Sequence, residues 1–161
     1  MKQQQETTIC LELTSPGHLV PARAPSGIEL RKVGADAADD VGHAYRRVFL
    51  PHGSAGRAEW TDDEWRTELA SPSIHAWLAF ADGGLTGLVE LETEPDGSVG
   101  IVVFGVVPEL IGHGYGGALL TLATQLAWEL GCTRVRVQTS SRDHPHALLN
   151  YEARGFRIIP P

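Results

Sequence analysis

The sequence predicts an α/β (α+β) domain in which helices cover both faces of a mixed, mostly antiparallel sheet of about six or seven strands. Two observations predict this class. Runs that alternate apolar and polar residues are interleaved with helical patterns along the chain. Three of the strand-like runs follow one another with only short turns between them, which is typical of antiparallel strands.

The composition fits a single globular domain. The chain has 161 residues, of which 42% are apolar and 20% are charged, with 18 glycines and 10 prolines. A chain of this length buries about 70% of the surface of its unfolded form, so it needs neither disulfides nor a structural metal to hold a core. A disulfide scaffold, a coiled coil and a wholly disordered protein are therefore excluded.

Charge and hydropathy exclude several kinds of partner. The formal net charge is −7, and no basic block is present that would bind nucleic acid or an anionic membrane surface. Cys10 and Cys132 lie far apart in the sequence, which favours unpaired thiols in a reducing compartment. The polar start MKQQQETT and the lack of any run of about 18 apolar residues predict a soluble, cytoplasmic protein.

The N-terminal part of the chain is predicted to be an extension of the domain. Residues 1–26 contain one alternating run, TICLELT at 8–14, which can form a strand at the edge of the sheet. Prolines and a glycine interrupt every pattern after it. We assign 27–161 to one domain, which begins with a short strand at 27–33.

Two helices and three strands are predicted next. Apolar residues at helical spacing from Val41 to Phe49 predict the first helix. Thr61 and Glu64 have the spacing of a capping box, so a short second helix is expected to begin there and to end near Ala70. The three strands are expected at 74–81, 85–94 and 98–108, joined by turns at 82–84 and 95–97.

The last third of the chain alternates helices and strands. A glycine-rich loop at 112–117 leads into a strongly apolar helix at 118–130, and a strand is predicted at 133–139. Asp143 or His144 can cap a final helix, which is followed by a terminal strand, GFRII.

The glycine-rich loop is the strongest functional signal. Four glycines, Gly112, Gly114, Gly116 and Gly117, precede a helix at the point where backbone N–H groups lack partners within the helix. Because glycine lets the main chain approach a ligand and the helix dipole adds about half a positive charge, we expect a phosphate to bind there. The loop also satisfies the dinucleotide pattern GxGxxG, but it follows an antiparallel meander and too little chain remains for the parallel units of a nicotinamide site.

Two segments of the chain resemble the GCN5-related N-acetyltransferase (GNAT) family. The acetyl-CoA loop of that family, Arg/Gln-x-x-Gly-x-Gly/Ala, aligns with Ile111, Gly114 and Gly116 at its first, fourth and sixth positions. The family segment Asn-x-x-Ala-x-x-x-Tyr-Glu-x-x-Gly-Phe aligns without gaps with 144–156, where His144 replaces the Asn. The resemblance covers 27–158 and implies a GNAT-like sheet that is splayed between its fourth and fifth core strands.

The resemblance also implies an activity and a site. It implies an N-acetyltransferase that moves an acetyl group from the cosubstrate acetyl-CoA to a primary amine of a small molecule. Tyr151 aligns with the family's general acid, which protonates the departing thiolate. The implied cofactor-binding residues are Phe104, Val106, Val107, Ile111, Gly112, His113, Gly114, Tyr115, Gly116, Gly117, Ala118, His144 and Ala147.

The general base does not follow from the family pattern, because 98–107 carries no carboxylate. Glu90 and Glu92 lie on the neighbouring strand with their side chains on one face. One of them is expected to accept the proton, directly or through water, and Glu90 is favoured. Substrate recognition is expected from the first two helices and their loop, at Tyr45, His52, Trp60 and Trp65.

Departures from the family pattern leave alternatives open. Ile111 replaces the usual Arg or Gln and the strand-borne carboxylate is missing, so the chain could be a non-catalytic module that binds acyl-CoA. A protein N-terminal or lysine acetyltransferase is a further alternative. The chain ends before the family's usual last strand, so either the 8–14 segment or a second subunit, as in a homodimer, is expected to cover the sheet edge.

Overall fold

One seven-stranded sheet organises the molecule. A computed structural model of the chain describes residues 6–23, 27–53, 56–140, 143 and 145–161. The strands are β1 (Thr8–Leu13), β2 (Glu29–Val33), β3 (Ile74–Ala81), β4 (Gly84–Thr93), β5 (Val99–Val106), β6 (Val135–Ser140) and β7 (Arg157–Ile158). The helices are α1 (Ala38–Phe49), α2 (Asp62–Ala70), α3 (Tyr115–Glu129) and α4 (Ala147–Ala153). The strand order is β2-β3-β4-β5-β6-β1-β7.

The two faces of the sheet are covered by different helices. On one face, Val41 of α1 and Trp65 of α2 belong to a buried cluster with Leu88 of β4. On the other face, Leu119 of α3 packs with Val89 and the other buried residues of a second cluster. The predicted fold class is confirmed: the sheet is mixed and mostly antiparallel, since only β5 and β6 pair in parallel. No helix formed by the described residues is long and apolar enough to cross a bilayer.

The strand predicted at 8–14 lies inside the sheet rather than at its edge. β1 pairs antiparallel with β6 along its whole length, from Thr8 opposite Ser140 to Leu13 opposite Val135. On its other side, β7 pairs with Leu11 and Glu12. The physical reason is burial: Leu11 and Leu13 are almost completely buried in the cluster beneath α3. The 8–14 segment therefore covers the edge of β6, which was one of the two predicted alternatives. The two-residue β7 forms the outer edge, so the expectation that 8–14 is itself an edge strand was wrong.

The sheet opens between β5 and β6. The two strands pair only from Val99 to Ile101, opposite Val135 to Val137. Beyond Ile101, the side of β5 that faces β6 has no partner strand among the described residues, while its other side stays paired with β4 as far as Val106. This is the splay that the resemblance implied, and it leaves main-chain groups of β5 available to a ligand.

The N-terminal cap predicted from the local sequence pattern is present in α2 but not in α4. The predicted capping box is present, with Thr61 and Glu64 bonded to each other's backbone N–H. The predicted cap of α4 is wrong, because its N-cap is His146. The Asp143 carboxylate instead accepts hydrogen bonds from the Thr139 hydroxyl and the Ser140 N–H, both at 2.8 Å. His144, the other predicted cap, lies outside the described residues.

Candidate active site

A cleft of about 560 Å³ occupies the opening between β5 and β6. Five parts of the chain form its walls: β5 from Ile101 onward, two residues of β6, the glycine-rich loop, the beginning of α4 with residues just before it, and the end of α1 with the segment that follows it. Because the cleft passes from α4 to α1, it connects the two faces of the sheet. Residues from both faces of the sheet could therefore contact a ligand that lies in the cleft.

The glycine-rich loop offers free backbone donors to the cleft. The N-cap of α3, Gly114, has a left-handed backbone (φ +84°) and no side chain to cap the helix. In the described part of the chain, the amides of Gly114, Tyr115, Gly116 and Gly117 donate to no protein acceptor. These amides stand at the positive end of a 15-residue helix, so they form a site for an anion, which we call the amide cradle.

The glycines of the loop differ in what a side chain would disturb at each position. Gly112 and Gly114 have φ near +85°, a conformation that other residues rarely adopt. A Cβ at Gly117 would collide with the guanidinium of Arg154. A Cβ at Gly116 would meet Asn150 Nδ2 at 3.7 Å, an ordinary contact. The fold therefore tolerates a side chain at Gly116, and what glycine provides there is open space in the cleft.

Tyr151 supplies a phenol on the α4 wall of the cleft. Its ring is buried between Phe104 of β5 and Phe156, with ring centroids 6.4 and 6.1 Å away. Burial, and to a smaller extent the negative charge of Asp143, raise the pKa of the Tyr151 phenol above its ordinary value. The hydroxyl therefore keeps its proton at neutral pH, which is the state that a general acid needs.

The opposite end of the cleft is aromatic and carries the guanidinium of Arg57. Tyr45, Phe49 and His52 line it together with Arg57. The backbone N–H of Arg57 donates to the Tyr45 hydroxyl at 3.1 Å, and the guanidinium carbon lies 4.5 Å from the centre of the Trp60 ring. The aromatic rings thus hold Arg57 against this end of the cleft.

Glu90 lies behind Arg57 and is almost completely buried, with 1% of its surface exposed. Its Oε2 accepts a hydrogen bond from Arg57 Nη1 at 2.9 Å, and the same nitrogen lies 2.7 Å from Glu68 Oε2 of α2. Oε1 of Glu90 has no hydrogen-bond partner among the described residues. Burial, which Arg57 only partly offsets, raises the pKa of Glu90 to about 7, so this carboxyl exchanges its proton near neutral pH.

The structure brings most of the predicted site residues together. The cleft is lined by these predicted cofactor residues, substrate residues and acid: Phe104, Val106, Ile111, Gly112, Gly114, Gly116, Gly117, Ala147, Tyr45, His52 and Tyr151. Four predicted cofactor residues belong to the same segments without lining the cleft. Val107 and Ala118 are buried, the His113 N–H donates to the Leu110 carbonyl at 3.2 Å, and Tyr115 contributes its amide. His144 lies outside the described residues.

The predicted bases and two predicted substrate residues lie outside the cleft lining. Trp60 and Trp65 stand behind Arg57, whose guanidinium lies over both rings. Glu90 also contacts Arg57, whereas Glu92 is half-buried farther along β4. The tryptophans therefore support the cleft from behind.

Sequence reasoning missed several residues of the cleft, including Arg57, Gln138 and Asn150. Asn150 could have been found, because it directly precedes Tyr151 in the aligned family segment. Arg57 had no signal, since it lies in a predicted loop and meets Glu90 only through the tertiary fold.

Similarity to known proteins agrees with this geometry. A family model described as the acetyltransferase (GNAT) family matches residues 39–156. The chain belongs to the GNAT acetyltransferase family. This family consists of acyltransferases, and membership accounts for the splayed sheet and the amide cradle of this GNAT chain.

Relatives of the GNAT chain include both sequences and solved structures. Mycothiol acetyltransferase from Clavibacter sepedonicus is 32% identical over 135 residues, which are 83% of this chain and 44% of that protein. The chain thus spans less than half the length of this curated relative. A GCN5-related N-acetyltransferase from Sphaerobacter thermophilus has a TM-score of 0.73 at 20% identity, covering 96% of this chain and 48% of that one. The ribosomal-protein-S18-alanine N-acetyltransferase from Escherichia coli has a TM-score of 0.64 at 15% identity, covering 81% and 77%. These structural likenesses show the fold.

Glu90 should make the stability of the fold depend on pH. Because its pKa is about 7 in the folded chain and 4.5 ordinarily, folding favours the protonated form. The resulting stabilisation is complete below about pH 4.5 and is lost as the pH rises through about 7, a fall in the free energy of unfolding of the order of 3 kcal/mol. We expect Glu90→Gln to lack this fall, as measured by denaturant unfolding at a series of pH values.

Glu92→Gln is the matched control for this measurement, because it removes a carboxyl from the same face of β4 at a half-buried position. That variant should retain the fall seen in the wild type. Equal pH dependence in the wild type and in Glu90→Gln would show that Glu90 carries no raised pKa.

Proposed function

We propose that this GNAT chain transfers an acetyl group from acetyl-CoA to a primary amine of a small molecule. The observation that supports the proposal most strongly is the amide cradle, which lines the cleft between β5 and β6 together with Tyr151. An anion site, an unpaired strand edge and a protonated phenol are the three features that a CoA thioester requires.

The residues present fit acetyl-CoA along its length. Its diphosphate suits the free amides from Gly114 to Gly117. Its pantetheine arm contains two amides, which can bond to β5 as a neighbouring strand would, on the side left unpaired beyond Ile101. The acetyl group would then lie near Tyr151 and the Phe104 ring that packs against it.

The transfer needs one proton acceptor and one proton donor. The neutral amine attacks the thioester carbonyl, a C–N bond forms and the C–S bond breaks, and Tyr151 gives its proton to the departing thiolate. The nitrogen of the new amide then gives up its remaining extra proton, which restores the Tyr151 phenol. An amine with a pKa near 10.4 is neutral in only about one molecule in 2,500 at pH 7, so a base matters more for such an acceptor than for an α-amine of pKa near 8. Glu90 is the base that we propose, acting through water because Arg57 lies between it and the cleft.

The acceptor is proposed to be a small molecule because the curated relative is named for mycothiol. A protein N-terminus is the second candidate, supported by the structural likeness to the enzyme named for the alanine of ribosomal protein S18. A cytoplasmic location, a homodimer and a single domain over 27–161 remain predictions from the sequence.

A binding measurement and a turnover measurement test the proposal together. Acetyl-CoA at 100 times its Kd should stabilise the chain by about 2.7 kcal/mol, or roughly 5–11 °C in Tm, and NAD should not. With a panel of small amines and N-terminal peptides, at least one acceptor should release free CoA thiol. Binding of acetyl-CoA without thiol release from any acceptor would favour the non-catalytic module, and an unchanged Tm would refute both readings.

A further inference from the structure

Arg57 joins three elements at the acceptor end of the cleft. Its Nη1 lies 2.9 Å from Glu90 Oε2 on β4 and 2.7 Å from Glu68 Oε2 on α2. Its backbone N–H is bonded to the Tyr45 hydroxyl of α1, and its guanidinium lies over the Trp60 ring. A side chain held from so many sides has little rotamer freedom left to lose, so its position is set before a substrate arrives.

The contacts around Glu90 are asymmetric. The Glu90 side chain is buried; Arg57 holds its Oε2, and its Oε1 is without a hydrogen-bond partner in the described ranges. A buried carboxylate oxygen without a donor is unfavourable, and either a proton on the carboxyl or a donor that reaches Oε1 relieves it. Most buried polar side-chain atoms have a hydrogen-bond partner, so the bare Oε1 is an exception, and it is the one carboxylate oxygen among the buried unpartnered atoms of the described residues.

We propose that Arg57 is a positioning residue, which holds Glu90 by Oε2 and so keeps Oε1 free for the acceptor's proton. The proposal rests on the proposed function, because it describes how the acceptor amine is deprotonated. The N–H bond of the ammonium breaks, its proton passes to a water molecule, and that water gives one of its own protons to Oε1 of Glu90. The amine keeps the electron pair that attacks the thioester.

The charges that face Glu90 act in opposite directions. Arg57 favours the ionised carboxylate, whereas Glu68 favours the protonated acid. The phenol of Tyr45 is the titratable group that α1 contributes, through the backbone of Arg57. The positions opposite Glu90 on β3 and β5 are Ala76 and Val103, which carry no charge. Neutral substitutions of Arg57 and of Glu68 should therefore move the titration of Glu90 in opposite directions.

The first test measures the protonation of Glu90 without any substrate. In the full chain labelled with carbon-13 at the glutamate carboxyls, the resonance that disappears in Glu90→Gln is followed against pH. We expect its midpoint to rise by about one pH unit, a tenfold change in proton affinity, in Arg57→Gln and to fall in Glu68→Gln. Arg57→Lys keeps the charge and is the control, with a midpoint near that of the wild type.

A merely structural role for Arg57 gives a different result. If the substitutions only loosen the cluster and admit water, both midpoints move down toward the ordinary value of 4.5. Movement of both midpoints in the same direction, or of neither, would overturn the proposal.

The second test follows the pH dependence of turnover. The acidic limb of kcat/KM should shift with the midpoint of each variant, so Arg57→Gln should lose about fivefold at pH 7, approach a tenfold loss at lower pH and recover above about pH 9. A rise in KM at every pH with an unmoved acidic limb would mean that Arg57 binds an anionic group of the acceptor, which overturns the proposal. Absence of thiol release from the wild type would refute the proposed function instead, and the substrate-free midpoints would still decide whether Arg57 controls Glu90.

Discussion

Tyr151→Phe is expected to lower kcat by about 10²- to 10⁴-fold while the affinity for acetyl-CoA stays nearly unchanged. The substitution removes only the hydroxyl, and the ring can still pack between Phe104 and Phe156, so the wall of the cleft is kept. What is lost is the proton for the CoA thiolate as the C–S bond breaks. Thiol release at saturating acetyl-CoA measures kcat, and the shift in Tm with acetyl-CoA reports binding.

Leu149→Ala is the control for this variant. Leu149 lies on the same helix, α4, and is exposed, so its truncation tests whether any change in α4 disturbs turnover. We expect it to keep the wild-type rate. A Tyr151→Phe variant that turns over as fast as the wild type would remove Tyr151 from the mechanism and leave the thiolate to be protonated by water.

Gly116→Val is expected to abolish the rise in Tm that acetyl-CoA produces. The folded chain has room for a Cβ there, since the nearest atom, Asn150 Nδ2, would be 3.7 Å away. The same side chain would stand among the free amides of the cradle and block the approach of a diphosphate. Thermal unfolding with and without acetyl-CoA measures the effect, and we expect a Tm of the free variant close to that of the wild type.

A matched glycine control separates loss of binding from general damage. Gly34 has an extended backbone (φ −129°, ψ −160°) that valine adopts readily, and it lies before α1, away from the cleft. Gly34→Val should keep the full response to acetyl-CoA. An undiminished response in Gly116→Val would show that the ligand is held elsewhere than at the amide cradle.

The parts of the structure that were predicted well depend on contacts between residues close in sequence. The capping box at Thr61 and the meander of β3, β4 and β5 depend on neighbours a few positions apart. The glycine-rich loop likewise owes its unpaired amides to its place at the start of α3, which the sequence shows directly. Local patterns therefore predicted the fold class and the glycine-rich end of the cleft.

The parts of the structure that the sequence did not predict depend on contacts between residues far apart in the chain. β1 lies inside the sheet because β7 pairs with its outer side, which nothing within residues 8–14 reveals. Arg57 belongs to the cleft because α2 and β4 place Glu68 and Glu90 on either side of it. Asp143 does not cap α4 because its carboxylate is engaged by Thr139 and Ser140. The aromatic end of the cleft around Arg57 depends on such distant partners, so it was the part that the sequence predicted least.

The position of β1 has a consequence for the order in which the molecule can be assembled during synthesis. Residues 8–13 pair with 135–140, so the ribosome must synthesise everything between these two segments before β1 finds its neighbour β6. The hairpins of β3, β4 and β5 can form earlier, from contacts close in sequence. Until residues 135–140 emerge, the apolar residues of 8–13 lack their partner strand, and a chaperone that shields such nascent strands would act on this segment.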